Sequence, residues 1–482
     1  MPHSSRPVGQ PGLDARDVAA FALGGSNVDV RLTADDLERL GAAHGRLTSA
    51  VDAGEVYGVT TGVGALRAVS LDPRGTPSLR LWRSHAAGTG TALSDEEARA
   101  TMLVRLHQLL RGGAGVTPDL AAGLARALEV GAVPTLRDHG GLGTGDLTVL
   151  AQLGLTLAGE LPWRSGSAAV VEPTYTDGLT FLSSNAATVA VASLAMVRLA
   201  DLLRSAEQVA ALSHLALRGS VAAYDGRVHA AKDDPFASAV AVRMRTLLDG
   251  AERGSARLQD PFGLRALPQV QGAAEAAAAM AEQVLMSEIG AAAENPLVPS
   301  EPGEVLHHGQ FMTQRLAGAL DALRAALPPV LALSHARLSA LLDPRQTGLP
   351  AFLADGPPGS SGLMVTEYVA ADLLARASTL SSPVTAGRTV VSLGLEEHAS
   401  HSTWSARLCA DLGDLVPSLL ACELVAAVRA LRLAPDRVLA VPATELLERC
   451  SWEHVAPDHV FGPELSAAAE VVQSSSGRSS SA

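Results

Sequence analysis

One segment constrains the fold more than any other. From Ala186 to Arg218 the chain holds neither glycine nor proline. At about 1.5 Å per residue such a stretch makes a helix of roughly 45–50 Å. Val191, Leu194, Leu199, Leu202 and Val209 recur along it at approximate helical spacing. Further Ala- and Leu-rich runs predict helices at Ala273–Ile289, Phe311–Leu327, Val330–Leu342, Gly362–Leu380 and Ser402–Leu431. β-Branched alternating runs are scarce, which argues against a large sheet. Hydrophobic residues make up 47% of the chain but aromatics only 3%. Small side chains must therefore fill the core, and they let helices approach closely.

The predicted architecture is all-α. A long helical bundle over residues 186–472 follows a smaller, mixed but mostly helical region over 16–185, where the catalytic loops are expected. Thr33, with Asp36 three residues on, signals a helix start. The Pro-, Gly- and Ser-rich start (1–15) and the Ser-rich end (473–482) are expected to be mobile.

The net charge of −13 argues against a nucleic-acid partner, which calls for clustered Lys and Arg. Cys409, Cys422 and Cys450 form no CxxC pair and no even disulfide framework, which fits a reducing, cytoplasmic setting. No signal peptide or membrane span is read from the sequence.

Isolated motifs say little. Gly140–Asp146 is glycine-rich but lacks the Lys-Ser/Thr ending of a phosphate loop, and no strand is predicted before it. Glu397, His398 and His401, and the pair His307-His308, do not follow metal-ligand spacing, so no metal is expected. Ser84-His85 are adjacent, but hydrolase triads assemble in space, and there is no GxSxG elbow.

Collinear segments carry more. Tyr57-Gly58-Val59-Thr60-Thr61-Gly62-Val63-Gly64 resembles the Y-G-x-N-T-G-F-G loop of the histidine/phenylalanine ammonia-lyase family, and Ser84-His85-Ala86-Ala87-Gly88 its S-H-A-A-G segment. Gln259-Asp260-Pro261-Phe262-Gly263-Leu264-Arg265 with Pro268-Gln269-Val270 resembles Q-D-x-Y-S-x-R…P-Q-V. Glu294-Asn295-Pro296-Leu297 resembles D-N-P-L, and Glu396-Glu397-His398 resembles E-D-H. Together with Leu341–Pro344, Gly348–Leu353 and Ser361–Met364 these run in one order from roughly residue 20 to 430. No single one is specific, but their shared order is.

The resemblance implies an all-α homotetramer whose active sites combine residues from several subunits, acting on a small carboxylate substrate. The family removes ammonia across Cα–Cβ of α-amino acids, using an electrophile, 4-methylideneimidazol-5-one, made by cyclising and dehydrating an internal Ala-Ser-Gly. Carried over by position, Tyr57 is the general base for the β-proton. A free phenol ionises near ~10, so such a base needs a site that favours its anion. Arg265 grips the substrate carboxylate. Glu396 contacts the amine or ring, or relays a proton, and Gln259 holds a polar group. Ser84 and His85 occupy the position that selects the ring, and their polarity favours a histidine-like substrate.

The departures gather around the electrophile. Where the family reads G-S-V-G-A-S-G-D-L, the chain has Gly140-Gly141-Leu142-Gly143-Thr144-Gly145-Asp146-Leu147, one residue shorter. Ala becomes Gly143 or is lost, Ser becomes Thr144, and Gly145 remains. Ser183 stands near the family Asn, with Asn185 two residues on. Phe262 replaces a Tyr, Gln310 an Asn and Leu395 a Gln. Dehydrated Thr144 would carry an extra methyl on the carbon that the substrate attacks.

Three readings follow. The first is an elimination enzyme, or one running the related addition or isomerisation, that works without the standard electrophile on a substrate with a better leaving group, such as a quaternary ammonium. The second is a histidine ammonia-lyase with a Thr-derived electrophile built from Gly143-Thr144-Gly145. The third is a ligand-binding or scaffolding paralogue without turnover. The altered triad favours the first, with no cofactor.

Overall fold

The computed structural model describes residues 5–25, 28–72, 76–251, 257–301, 303–437, 442–452 and 458–475. Helices dominate. Among the described residues the strands are two to four residues long and form three two-stranded pairs. Arg6–Pro7 runs parallel to Val28–Asp29. Thr89–Ala92 pairs antiparallel with Arg137–His139, and Val133–Pro134 with Trp163–Ser165. The all-α expectation holds.

The long Gly- and Pro-free segment is a helix over Ala186–Ala216. Val191, Leu199, Leu202 and Val209 are buried and Leu194 is half-buried. Its buried hydroxyls are satisfied: Ser193 donates within the helix to the Val189 carbonyl at 2.7 Å, and Ser205 to the distant Val472 carbonyl at 2.8 Å. Thr33 caps the helix Ala34–Ala53 in a reciprocal box: its hydroxyl accepts from the Asp36 N–H and its own N–H donates to the Asp36 carboxylate. Aspartate there does the work usually done by glutamate.

Other boundaries moved. The two helices expected either side of Pro328-Pro329 are one, Gln314–Leu342. Leu327, Val330 and Leu331 are buried there, and tertiary packing outweighs the backbone donors that proline lacks. The remaining predicted helices appear as Leu267–Ile289, Met364–Leu380 and Ser402–Leu433. The mobile start does not extend to residue 15. Arg6–Pro7 is paired, Val8 and Leu13 are buried, and the helix Ala15–Ala22 has a capping box from Asp14. At the other end the helix Gly462–Ser475 includes Gln473 and Ser474. Residues 1–4 and 476–482 lie outside the described residues.

By packing, the chain forms two compact units, each assembled from three stretches, so a single cut at residue 185 is not how the residues group. One unit comprises Met1–Val197, Ala281–Asp321 and Pro383–Arg407. In it the helix Pro77–His85 lies on Leu147–Leu157, where Trp82 packs against Gly154 and donates from its indole to the Gly178 carbonyl at 2.9 Å. The other comprises Arg198–Met280, Ala322–Ser382 and Leu408–Ala482. A buried pair, Arg337 with Glu423 at 2.5 Å, lies at its centre, and Ser213 and Ser334 complete the carboxylate's bonds.

Two stretches, Asp177–Ala216 and Gln314–Leu342, are long and apolar enough to cross a membrane by length and composition. Their most apolar portions are 72% and 56% buried within the fold, the pattern of core helices. Cys409, Cys422 and Cys450 are buried thiols, none of them in a disulfide.

Candidate active site

The glycine-rich loop at 140–145 is locked in place. Gly143 has φ +77°, and a Cβ built on it would strike the hydroxyls of Ser400 and Ser402 and come within 2.8 Å of the Ser402 nitrogen. Its carbonyl accepts from the Ser400 hydroxyl at 2.8 Å and from the Thr313 hydroxyl at 3.1 Å. Thr313 and Ser402 hydroxyls bond at 2.7 Å. The Gly145 N–H donates to the Asn185 side-chain oxygen at 2.9 Å, and the Asn185 amide donates to the Phe311 carbonyl at 2.7 Å. Asp146 accepts from the Thr188 N–H and hydroxyl, at 2.7 and 2.8 Å. Burial outweighs these donors and pushes the Asp146 carboxyl up to about 6.

Replacing Gly143 with alanine therefore has nowhere to put its methyl. Overpacking and a positive φ together cost roughly 2–4 kcal/mol. Gly143→Ala should lower the denaturation midpoint accordingly, with partial recovery when Ser400 and Ser402 are both reduced to alanine. A Gly143→Ala protein as stable as the parent would show that the loop has slack.

Thr144 faces a cavity of about 440 Å³, together with Tyr57, Gly64, Arg67, Leu147, Leu179, Ser183, Asn295, His307, Phe311, Leu395 and Glu396. Tyr57 is half-buried, and its oxygen accepts from the Gly64 N–H at 2.7 Å. The ring meets His307 edge-on at 6.1 Å. Gly64 (φ +56°) is wedged against Ser392 and Glu396: a Cβ there would strike the Ser392 hydroxyl and lie 3.6 Å from the Glu396 carboxylate. Ser392 also accepts from the Ala65 N–H at 3.0 Å. Ser392 and Leu393 take φ of 54° and 55°, strained for non-glycine residues, in the turn bridging Val391 to Glu396.

The structure thus brings Tyr57, Glu396, Ser183 and Thr144 to one cavity. Ser183 lines it and accepts from the Asn295 N–H at 2.8 Å, whereas Asn185 is buried behind the loop as a brace. Gln310 is exposed and does not line the cavity, but its neighbour Phe311 does. Ser84 and His85 line a different cavity, of about 260 Å³, with Gly58, Thr61, Gly62 and Tyr175. The loop 57–64 contributes to both cavities, and His85 Nδ1 lies 3.0 Å from both the Ser84 hydroxyl and the Leu81 carbonyl.

Gln259, Phe262 and Arg265 belong to the other unit and are exposed. The Arg265 guanidinium sits 4.5 Å from the Phe262 ring centre. Their segment is held by Asp260, which accepts from the Ser220 N–H at 2.6 Å, and by Tyr224, which donates to the Leu264 carbonyl at 2.9 Å. Arg67 and His307 were not singled out as site residues in the sequence. Arg67's position ten residues past Tyr57, on the same loop, is the signal that was there to be read. Among the described residues no three His, Cys, Asp or Glu side chains converge as a metal site.

A lyase-type helical fold with a tyrosine and a glutamate at one cavity places the chain in a class, and comparison names it. Residues 13–450 match the family model for aromatic amino acid lyases, and the chain belongs to that family. It is 35% identical to histidine ammonia-lyase of Symbiobacterium thermophilum over 86% of this chain and 87% of that protein. It is 33% identical to histidine ammonia-lyase of Streptomyces avermitilis over 97% and 96%. Among solved structures, tyrosine aminomutase from Streptomyces globisporus is similar at TM-score 0.91 and 25% identity, over 98% of this chain and 97% of that one. The ergothioneine-degrading enzyme ergothionase from Treponema denticola, at 22% identity, shares the fold with TM-score 0.91 over 98% and 99%. The chain is a lyase of the ammonia-lyase and aminomutase family.

The residues at the position of the family's electrophile differ from Ala-Ser-Gly in two ways that bear on it. Dehydrating Thr144 would give an ethylidene, not a methylidene, and Gly143 has no room for the alanine methyl.

Proposed function

We propose that the chain eliminates a nitrogen-bearing group across Cα–Cβ of a histidine-like or other polar aromatic carboxylate, without the standard electrophile. The observation that carries this reading is the single cavity holding Tyr57, Glu396 and Thr144 beside a Gly143 turn closed to alanine. Tyr57 acts as its phenolate, takes the β-proton and becomes the neutral phenol. The C–H electron pair becomes the Cα=Cβ bond, and the Cα–N bond breaks with its pair leaving on nitrogen. A quaternary ammonium departs as a neutral tertiary amine and needs no covalent activation, whereas a primary amine is a poor leaving group. Glu396 faces the cationic nitrogen. The reverse addition, or an isomerisation that returns the amine to the neighbouring carbon, uses the same groups. Gln259 and Arg265, exposed on one protomer, complete the site of a neighbouring subunit in a homotetramer.

A second reading is a histidine ammonia-lyase with a methyl-bearing electrophile. It draws support from the donors on the Gly143 carbonyl and the acceptor on the Gly145 N–H, an arrangement that polarises the first and holds the second.

Intact mass separates the two. The full-length protein is expected to weigh what its sequence dictates, and to release tertiary amine from the trimethylammonium betaines of histidine and 2-thiohistidine (the latter ergothioneine) faster than ammonia from L-histidine. A mass lower by two waters, with turnover of L-histidine, would establish the second reading instead.

A further inference from the structure

The proposed reaction leaves one charged group of the cavity without a task. Arg67 lines it with Tyr57, Thr144 and Glu396. It follows directly on the short helix Gly64–Leu66, and its N–H donates to the Gly64 carbonyl at 3.1 Å. The guanidinium is therefore borne by the same loop that supplies Tyr57 and the Gly64 N–H against the Tyr57 oxygen. Among the described residues lining this cavity, Arg67 is the sole arginine or lysine, and Glu396 the sole aspartate or glutamate.

Other exposed arginines of this chain fold back onto a carboxylate two residues away: Arg31 on Asp29 at 2.6 Å, Arg227 on Asp225 at 2.8 Å and Arg345 on Asp343 at 2.9 Å. Among the described residues no carboxylate pairs with the Arg67 side chain. An arginine without an internal partner keeps its planar fork available, and that fork matches a carboxylate bidentately. The cavity thus presents one anion and one cation beside a tyrosine, the charge pattern that complements a zwitterion.

We infer that Arg67 binds the substrate carboxylate while Glu396 faces the nitrogen, so that Tyr57 meets the carbon between the zwitterion and the ring. This rests on the elimination reading, and adds within the cavity a second guanidinium for the carboxylate that the family resemblance gives to Arg265. Within its own protomer Arg265 stacks on Phe262 in the other unit. Arg67 acts by positioning the substrate, so its loss raises KM more than it lowers kcat.

The test compares L-histidine with L-histidinamide, which keeps the shape but removes the negative charge. Both are titrated calorimetrically into full-length protein, wild type, Arg67→Met, Arg67→Lys and Arg265→Met. The wild type is expected to prefer the acid by roughly 10- to 100-fold, the range of a charge-assisted hydrogen-bonded contact. Arg67→Met should cut that preference several-fold and Arg67→Lys restore part of it, a pattern that a merely structural role does not produce. Arg67 is exposed, so these variants are expected to fold.

A wild type with no preference, or an Arg67→Met protein that keeps it, overturns the assignment, whatever Arg265→Met does. These are binding measurements. Loss of the elimination reading would instead appear as turnover that survives removal of the Tyr57 hydroxyl, so the two failures are distinguishable.

Discussion

Tyr57→Phe should reduce turnover by roughly 10²- to 10⁴-fold, the usual contribution of a positioned general base. The phenylalanine keeps the ring that packs edge-on to His307 and loses only the oxygen. That oxygen accepts from the Gly64 N–H at 2.7 Å, so its removal leaves one backbone donor at the cavity edge without its partner, worth about 1 kcal/mol. The expected result is a large loss in kcat with a small change in the denaturation midpoint. Steady-state rates measured beside a urea titration check both. Turnover within a factor of two of the parent would remove Tyr57 from the chemistry.

The second large effect lies behind the cavity wall. Arg105 and Glu294 are fully buried and paired at 2.8 Å. Arg105 also donates to the carbonyls of Phe181, at 3.0 Å, and Thr180, at 2.7 Å. These bonds tie the segment leading to Ser183 to the one leading to Asn295, and both residues line the cavity. Arg105→Met leaves a carboxylate and two carbonyls buried without their partner, which costs roughly 3–5 kcal/mol.

The pH dependence has a defined sign. Burial already pushes the Glu294 carboxyl above its ordinary 4.5 and pulls the Arg105 guanidinium down. Without Arg105 the carboxyl rises further. A group that binds protons more tightly when folded loses its stabilising contribution as pH rises above the unfolded value. The deficit of Arg105→Met should therefore be smallest at acid pH and grow from about pH 4.5 upward. Denaturation midpoints across that range test it, and Arg105→Met/Glu294→Leu should recover much of the loss. A deficit that does not change with pH would place the cost in packing instead of charge.

Much of the fold was legible because it rests on local rules. The helix Ala186–Ala216 is announced by the absence of glycine and proline, and the Thr33 box by its spacing. The helix through Pro328-Pro329 was not legible, since local propensity there is overruled by burial. At the site, Tyr57, Ser183, Glu396 and the 143–145 loop were placed by the order of motifs. What the sequence could not say is where side chains point. Ser183 and Asn185 are two residues apart, yet one lines the cavity and the other braces the loop behind it. Ser84 and His85 line a second cavity, which the 57–64 loop also borders. The ring of Thr313, Ser400 and Ser402 around Gly143 comes from segments more than a hundred residues distant, and no motif announces it.

That ring also bears on how the loop could change over generations. Restoring alanine at position 143 alone collides with Ser400 and Ser402, while reducing those serines alone strips the Gly143 carbonyl of a donor and yields no catalytic gain. The step to alanine at 143 therefore passes through a less stable protein. That step is epistatically closed, and only coordinated substitution at residues 143, 400 and 402 would open it.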